Sequence, residues 1–337
     1  MADASPTTKY PDTIKRLPNL AGRTVAVTGC TSGVGFSFAK GAAELGAAVV
    51  MLNRQSPRAD SALAALKRAV PRGSIVQIPC DLLSFDSVRA AGERLKAACP
   101  SGLDVLCNNA GLMFTANAAT EDGFNAEIQT NHLSHFLLAS VAWPLLEKAA
   151  DARGDARILH TISKGRKACF LLQSHTGIVG EYFAPGTAHL GGDGFLSRFL
   201  RYNQSKLANA VFTIALASKQ SKVKALCGDP GISASNLVNV MGASGKDQDF
   251  LTRRFVSAFA DGWMAQSQDD GACGMLLAAF LPEAASGEMW GPILPWGADV
   301  CTEVEADFWF ARSAKIAVDT LWEASVRATG AEFPEWK

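Results

Sequence analysis

Residues 24–46, TVAVTGCTSGVGFSFAKGAAELG, place three glycines within seven residues between a short apolar run and a stretch of helical periodicity. A strand that ends at Thr28 and Gly29 and feeds a helix through Gly33 and Gly35 leaves backbone N–H groups with no Cβ in front of them. Thr31, Ser32 and Val34 complete the turn, and the helix start adds a partial positive charge. A turn of this kind suits an anion such as a dinucleotide pyrophosphate. It also ties the chain to a strand–turn–helix unit, which constrains the fold more than any other segment.

Short β-branched or apolar runs recur at 24–27, 49–52, 74–78, 104–107, 157–162 and 223–227. Helix-period segments lie between them near 33–45, 84–98, 123–149 and 199–218, the second opened by Ser84 as a cap. This alternation predicts an α/β chain: a single Rossmann-type doubly wound parallel sheet with helices on both faces. Ligands of such sheets bind beyond the carboxyl ends of the strands. Residues 1–20 read as a flexible leader and 21–337 as one domain, since no linker divides them. Two stretches break the rhythm. Residues 164–198 are a glycine- and aromatic-rich insertion on the substrate side, long for a loop within a compact domain. Residues 232–337 hold six of the seven tryptophans (263, 290, 296, 309, 322 and 336), which suits an apolar cap or pocket wall and equally suits ordinary core.

Composition narrows the partners. The 337 residues carry 32 basic and 32 acidic side chains, so the whole chain shows no electrostatic footprint for nucleic acid or an anionic membrane. No run of about 18 apolar residues predicts an integral membrane segment. The first twenty residues lack a signal-peptide core, and the eight scattered cysteines read as buried free thiols in a reducing compartment. A cytoplasmic protein is expected, with an organellar stroma or matrix as the other setting. Histidines 132, 135, 160, 175 and 189 have no metal-site spacing, so no metal is expected; His132 and His135 suit a core or cofactor-facing role.

Further motifs follow in chain order. TGCTSGVG has the spacing GxxxGxG, and NNAG at 108–111 follows the fourth candidate strand. Asp81 and Leu82 follow the third, Asn131 lies in QTNHLSHFLL, Ser163 closes RILHTIS, YNQSK spans 202–206, and DPG spans 229–231 after the sixth strand. Together these resemble the short-chain dehydrogenase/reductase superfamily over roughly residues 20–330. NNAGLMF, GFNAEIQTNHLSHFLLA and LWEASVRATG resemble its retinol-dehydrogenase-like branch.

The resemblance implies a catalytic set of Asn131, Ser163, Tyr202 and Lys206. It implies a cofactor site of Gly29, Thr31, Ser32, Gly33, Val34, Gly35, Asp81, Leu82, Asn108, Ala110, Gly111, Tyr202, Lys206, Pro230, Gly231 and Ser235, the last standing where the family commonly has Thr. Tyrosine and lysine at i and i+4 share one helix face, so the Lys206 ammonium is expected to draw the Tyr202 phenol down from its ordinary value and make it a general acid or base. Ser163 would stabilise charge developing on the substrate oxygen. By resemblance, Asn131 holds a water that links Lys206 to solvent.

Cofactor choice rests on LNRQSPR at the end of the second strand, 18 residues past Gly35. An acid there would bind a ribose 2′-hydroxyl, whereas Asn53 is neutral and Arg54 cationic, which favours a 2′-phosphate and hence NADP(H). Three departures from the family pattern stand out. Cys30 replaces a small loop residue, and inert packing is its expected role. Ile162 replaces the first of the usual paired serines. The interval from Ser163 to Tyr202 exceeds the usual dozen or two. The expected activity is NADP(H)-dependent interconversion of a carbonyl and an alcohol on a lipophilic small molecule. A protochlorophyllide-reductase-like double-bond reductase is the alternative within the family, and a non-catalytic NADP-binding regulator or scaffold is the alternative outside it. A homodimer through the helices near 123–149 and 199–218 stays open, since the insertion or the aromatic tail would also cover that face.

Overall fold

The computed structural model describes residues 8–173, 177–233, 250–252, 254, 266–292, 301–304 and 308–336. Six strands fall where the apolar runs predict them: β1 Thr24–Thr28, β2 Ala48–Asn53, β3 Ile75–Pro79, β4 Val105–Asn108, β5 Arg157–Thr161 and β6 Lys224–Gly228. With β7 Met289–Pro292 and β8 Cys301–Val304 they form one sheet in the order β3-β2-β1-β4-β5-β6-β7-β8. Strands β1 to β7 pair in parallel, and β8 adds an antiparallel edge. The strand order reverses between β1 and β4, which opens the crevice where such sheets bind ligands.

Helices cover both faces, so most strand residues are buried on both sides. On one face α2 (Gly33–Glu44) lies against α9 (Gln268–Phe280), with Phe38 and Phe280 stacked at 5.6 Å. On the other, α4 (Phe85–Ala98), α6 (Ser134–Arg153) and α8 (Phe195–Lys219) bury Leu95, Phe136, Trp143 and Phe212. Ser84 caps α4 as expected, accepting the Ser87 N–H at 3.3 Å.

Several elements depart from the sequence reading. Helix α3 (Pro57–Ala69), capped by Ser56, lies between β2 and β3 where none was marked. The expected helix 123–149 is broken: Asn125 caps a single turn, α5 (Ala126–Ile128), a π-helical turn follows at Gln129–Leu133, and then α6 begins. The insertion 164–198 is built of short turns and α7 (Ala168–Leu172), and it leads straight into α8. It is tied down by Gln204, which donates to Gly177 O at 2.6 Å and Gln173 Oε1 at 2.7 Å, and by Asp193, which accepts the Asn117 N–H at 2.7 Å.

The first turn of the chain is a correction to the flexible leader. Residues Tyr10–Arg16 form α1, and the carboxylate of Asp270 on α9 accepts the N–H groups of Thr8, Lys9 and Tyr10. The N–H groups of the cap and first residue of the helix, and of the residue before them, are thereby satisfied from a distant element. The Tyr10 ring is buried and its hydroxyl donates to Glu44 at 2.8 Å, so residues 8–20 belong to the folded unit.

The C-terminal α10 (Phe308–Thr329) lies on α8, burying Ala317, Val318 and Leu321. Among the described residues, no helix is long and apolar enough to cross a membrane.

Candidate active site

A cleft of about 710 Å³ opens at the carboxyl ends of β1, β2, β4, β5 and β6. One wall is the glycine turn. Gly29 and Gly33 take φ of +66° and +64°, in the left-handed region that a side chain rarely adopts. A Cβ on Gly29 would also stand 2.7 Å from Ala110. That close approach joins the two signatures: Thr28 Oγ1 accepts the N–H groups of Asn109 and Ala110 at 3.0 Å, and Asn109 Nδ2 donates to Thr28 O at 2.9 Å. Gly29, Thr31, Ser32, Gly33, Val34 and Gly35 all line the cleft, as do Ala110 and Gly111. Asn108 does not. Its side chain is fully buried behind the turn, and Asn109, unmarked in the sequence reading, takes the place at the cleft.

Several features fit a phosphorylated dinucleotide. The first turn of α2 carries no acidic residue, so nothing opposes an anion at the helix start. Asn53 is buried at the cleft; its Oδ1 accepts the Cys30 N–H at 2.9 Å, while its Nδ2 has no partner in the protein. Arg54 is exposed at the rim, and Arg58, from the first turn of α3, donates to the Ser32 hydroxyl across the opening. The sequence reading missed Arg58. The signal was Ser56-Pro57, a cap followed by proline, which starts a helix and turns Arg58 back toward the loop. Burial pushes the Cys30 thiol up to about 12, which agrees with inert packing. Asp81 and Leu82 line the end of the cleft beyond β3, Asp81 Oδ1 accepting the Leu83 N–H at 3.0 Å. Pro230 and Gly231 line the opposite end with Ile232 and Ser233, whereas Ser235 lies outside the described residues.

The four expected catalytic positions come together around β5 and α8. Ser163, just past β5, accepts the Gly165 N–H at 3.3 Å and acts as hydrogen-bond partner to the phenol of Tyr202. The long interval between them therefore leaves the pair intact. Lys206 follows one turn later, its Nζ 5.9 Å from the centre of the Tyr202 ring and 3.2 Å from Thr161 O, to which it donates. Asn131 sits in the π-helical turn with Oδ1 accepting the Leu112 N–H at 2.7 Å and Nδ2 donating to Leu112 O and Ser205 Oγ. Asn131 is behind the cleft wall; a Cβ on Gly111 would lie 3.3 Å from both Asn131 Oδ1 and Lys206 Nζ. A side chain at this position would press on both groups and require them to give by a few tenths of an ångström.

The electrostatics correct one expectation. Tyr202 is raised above the ordinary tyrosine value, because burial outweighs the help from Ser163 and because Asp229 and Glu127 add negative charge. Lys206 is lowered by burial to about 8, opposed by Asp229 and then Glu127. Desolvation therefore wins over the lysine–phenol attraction expected from spacing alone.

Three of the histidines belong to the core, while His189 is exposed. His132 and His135 are fully buried, bonded to Ser325 Oγ and Thr28 Oγ1 at 2.9 Å each, and His160 meets Thr213 Oγ1 at 2.9 Å. His175 lies outside the described residues. Leu112, Met113, Ile162 and Phe199 give the substrate side an apolar wall, with Phe199 stacked on Phe195 at 5.8 Å.

A profile of the short chain dehydrogenase family matches residues 23–173. Polyprenol dehydrogenase of Mus musculus is 31% identical over 272 residues, which are 79% of this chain and 74% of that protein. Retinol dehydrogenase 14 of Mus musculus is 33% identical over 228 residues, 64% of this chain and 63% of its own length. One other curated relative is matched over only 59% of its own length, and another over 52%. A solved structure of an uncharacterized protein from Mycobacterium paratuberculosis, 28% identical, superimposes with a TM-score of 0.69 over 95% of this chain and 98% of its own. Sheet order, glycine turn and relatives agree, and the chain belongs to the short-chain dehydrogenase/reductase family of oxidoreductases, with retinol-dehydrogenase-like relatives.

Proposed function

We propose that this protein is an NADP(H)-dependent oxidoreductase that interconverts a carbonyl and an alcohol on a lipophilic small molecule, with Tyr202 as proton donor or acceptor. The observation that carries this reading is the Ser163–Tyr202 pair, its tyrosine buried, at the inner end of a cleft whose outer end is a glycine turn flanked by Arg54 and Arg58.

The glycine turn and α2 start would hold the pyrophosphate. Arg54 and Arg58 would pair with a 2′-phosphate, and Asn53 leaves the ribose end without a carboxylate. The dinucleotide, when bound, supplies hydride to the carbonyl carbon or takes it from the alcohol. The chain handles the proton. Burial keeps Tyr202 protonated at neutral pH, which suits it to protonate the carbonyl oxygen in reduction. Ser163 donates to the same oxygen and stabilises the charge that gathers there. Lys206, near 8, can return a proton to the site at physiological pH. Leu112, Met113 and Phe199 exclude water and favour an extended apolar substrate, in keeping with relatives named for retinol and polyprenol.

The test is reduction of a panel of lipophilic aldehydes, ketones and quinones with NADPH and NADH. Turnover of one substrate group, NADPH preferred, with Tyr202→Phe lowering kcat by about 10²-fold or more, is expected. Unchanged turnover in Tyr202→Phe would remove the tyrosine from the mechanism.

A further inference from the structure

Asp229 follows β6 at the floor of the cleft, and the DPG turn gives it one plain task. Its Oδ1 accepts the Gly231 N–H at 2.8 Å. Asparagine or serine would hold such a turn equally well, so the turn does not explain a charge. The charge is unfavourable where it stands. Asp229 is 3% exposed, its Oδ2 has no hydrogen-bond partner, and the guanidinium of Arg166 is 3.8 Å away. Burial raises its carboxyl, with Arg166 the main opposing influence. Its Oδ2 has only the long ion pair with Arg166 and no hydrogen bond, which leaves this buried charge to act on other groups of the cleft.

It shares its cleft with the proton-handling pair. Asp229, Ser163, Tyr202 and Lys206 line one cleft. Strands β5 and β6 pair Thr161 with Gly228, and the Ile162 N–H donates to Gly228 O at 2.9 Å. Thr161 O is the carbonyl to which Lys206 donates, so the ammonium docks on the strand beside the one that ends in Asp229. That carbonyl is neutral. The largest influences opposing the burial of Lys206 are Asp229 first and Glu127 second.

We propose that Asp229 is a positioning residue whose buried carboxylate is the counter-charge that keeps Lys206 an ammonium and holds the proton on the Tyr202 phenol. This rests on the reading of Tyr202 and Lys206 as the proton-transfer pair. The other titratable or charged groups facing the cluster are Lys164 and Arg166 after β5, Cys227 on β6, Glu127 on α5 and His135 on α6. Cys227 is pushed up to about 12 and His135 down to about 4, so both stay neutral around neutral pH. Glu127 titrates near 7 and is separated by running Glu127→Gln in parallel.

Losing the carboxylate lowers both Lys206 and Tyr202. In carbonyl reduction, Asp229→Asn should move the alkaline limb of kcat/KM toward acid by about one pH unit, so the variant falls up to about tenfold further behind wild type on that limb than at its plateau. Asp229→Glu should restore the limb. Asp229→Ser, equally neutral and still able to accept the Gly231 N–H, makes the same test if the asparagine variant does not fold. A second readout needs no turnover: competitive acetylation of Lys206 by acetic anhydride across pH, read by mass spectrometry, should show its midpoint lowered in the neutral variants. An unmoved limb and an unmoved Lys206 midpoint would overturn the proposal, whatever the loss of overall rate. If the wild-type protein reduces no carbonyl, or Tyr202→Phe leaves turnover intact, the proton-transfer reading fails instead, and the acetylation titration still decides whether Asp229 sets the charge of Lys206.

Discussion

At the scale of single residues, the cofactor end of the cleft shows how one side chain beyond a motif changes its meaning. Arg54 was legible because it replaces the acid expected after the second strand, but it is exposed at the rim. Arg58 is held to Ser32 and so is already aimed across the opening. An oriented guanidinium loses less freedom on binding phosphate than a free one. Arg58→Ala should therefore weaken NADPH binding about tenfold and leave NADH nearly unchanged, with a similar or smaller effect for Arg54→Ala. Fluorescence titration with both cofactors decides this, and an equal loss for NADPH and NADH would assign Arg58 to loop structure rather than to the 2′-phosphate. Much of the site was legible because its residues sit at strand ends in a fixed order. Asn108 and Asn109 were confused because adjacent residues at a strand end face opposite ways, and only the backbone turn decides which one reaches the cleft. The direction of the Tyr202 shift was not legible at all. Spacing places a lysine beside the phenol but says nothing of how deeply both are buried.

At the scale of elements, the strands were legible as apolar runs and the helices less so. Helix α3 escaped notice because it buries only Ala59, Ala62 and Leu66, too thin a stripe to stand out. The break before α6 escaped notice for the opposite reason. The residues from Gln129 to Leu133 are all buried although four of them are polar, so polarity no longer tracks exposure and gives no sign of the π-helical turn that presents Asn131. The same region predicts a pH dependence. Burial lowers His132 to about 3 and His135 to about 4, and lowers His160 well below the ordinary value. The unfolded chain takes up protons at these positions below about 6.5 that the folded chain refuses, so stability falls as pH drops from about 6.5 toward 4, by up to about 1.4 kcal/mol per pH unit for each histidine. Glu127 acts in the opposite sense. Raised to about 7, it contributes stability at low pH that is lost as pH rises from about 4.5 through 7. Three groups outweigh one, so urea midpoints should fall between pH 6.5 and 5, and His132→Asn should flatten that slope by about half. A midpoint constant over this range would show that these imidazoles stay solvated or charged in the folded protein.

At the scale of the whole molecule, the question left open by the sequence is what covers the outer face of α6 and α8. The structure answers with the chain's own C-terminal part. Phe136 on α6 and Phe212 on α8 meet at 4.8 Å, and Phe333 reaches across them with ring distances of 5.2 Å and 6.2 Å. Trp322 on α10 and Trp336 flank Phe333 at 5.0 Å and 5.4 Å, and Trp143 on α6 completes the cluster. The aromatic-rich tail is thus partly accounted for as a cover on two helices rather than as a pocket wall, while Trp263 and Trp296 lie outside the described residues. Six rings of the same chain thus occupy the face that a second copy would use. The protein should therefore run as a monomer at micromolar concentration, or as an oligomer built on another face. Phe333 is the ring that touches all the others, so Phe333→Ala should cost about 2–3 kcal/mol and open a cavity bordered by tryptophan. If the cover is what keeps the face from associating, light scattering should show the variant gaining mass with concentration while the wild type does not, with tryptophan emission shifted to the red in the same samples. A wild-type dimer held through cysteines introduced on α6 or α8 and captured by cross-linking would instead show that the tail moves aside.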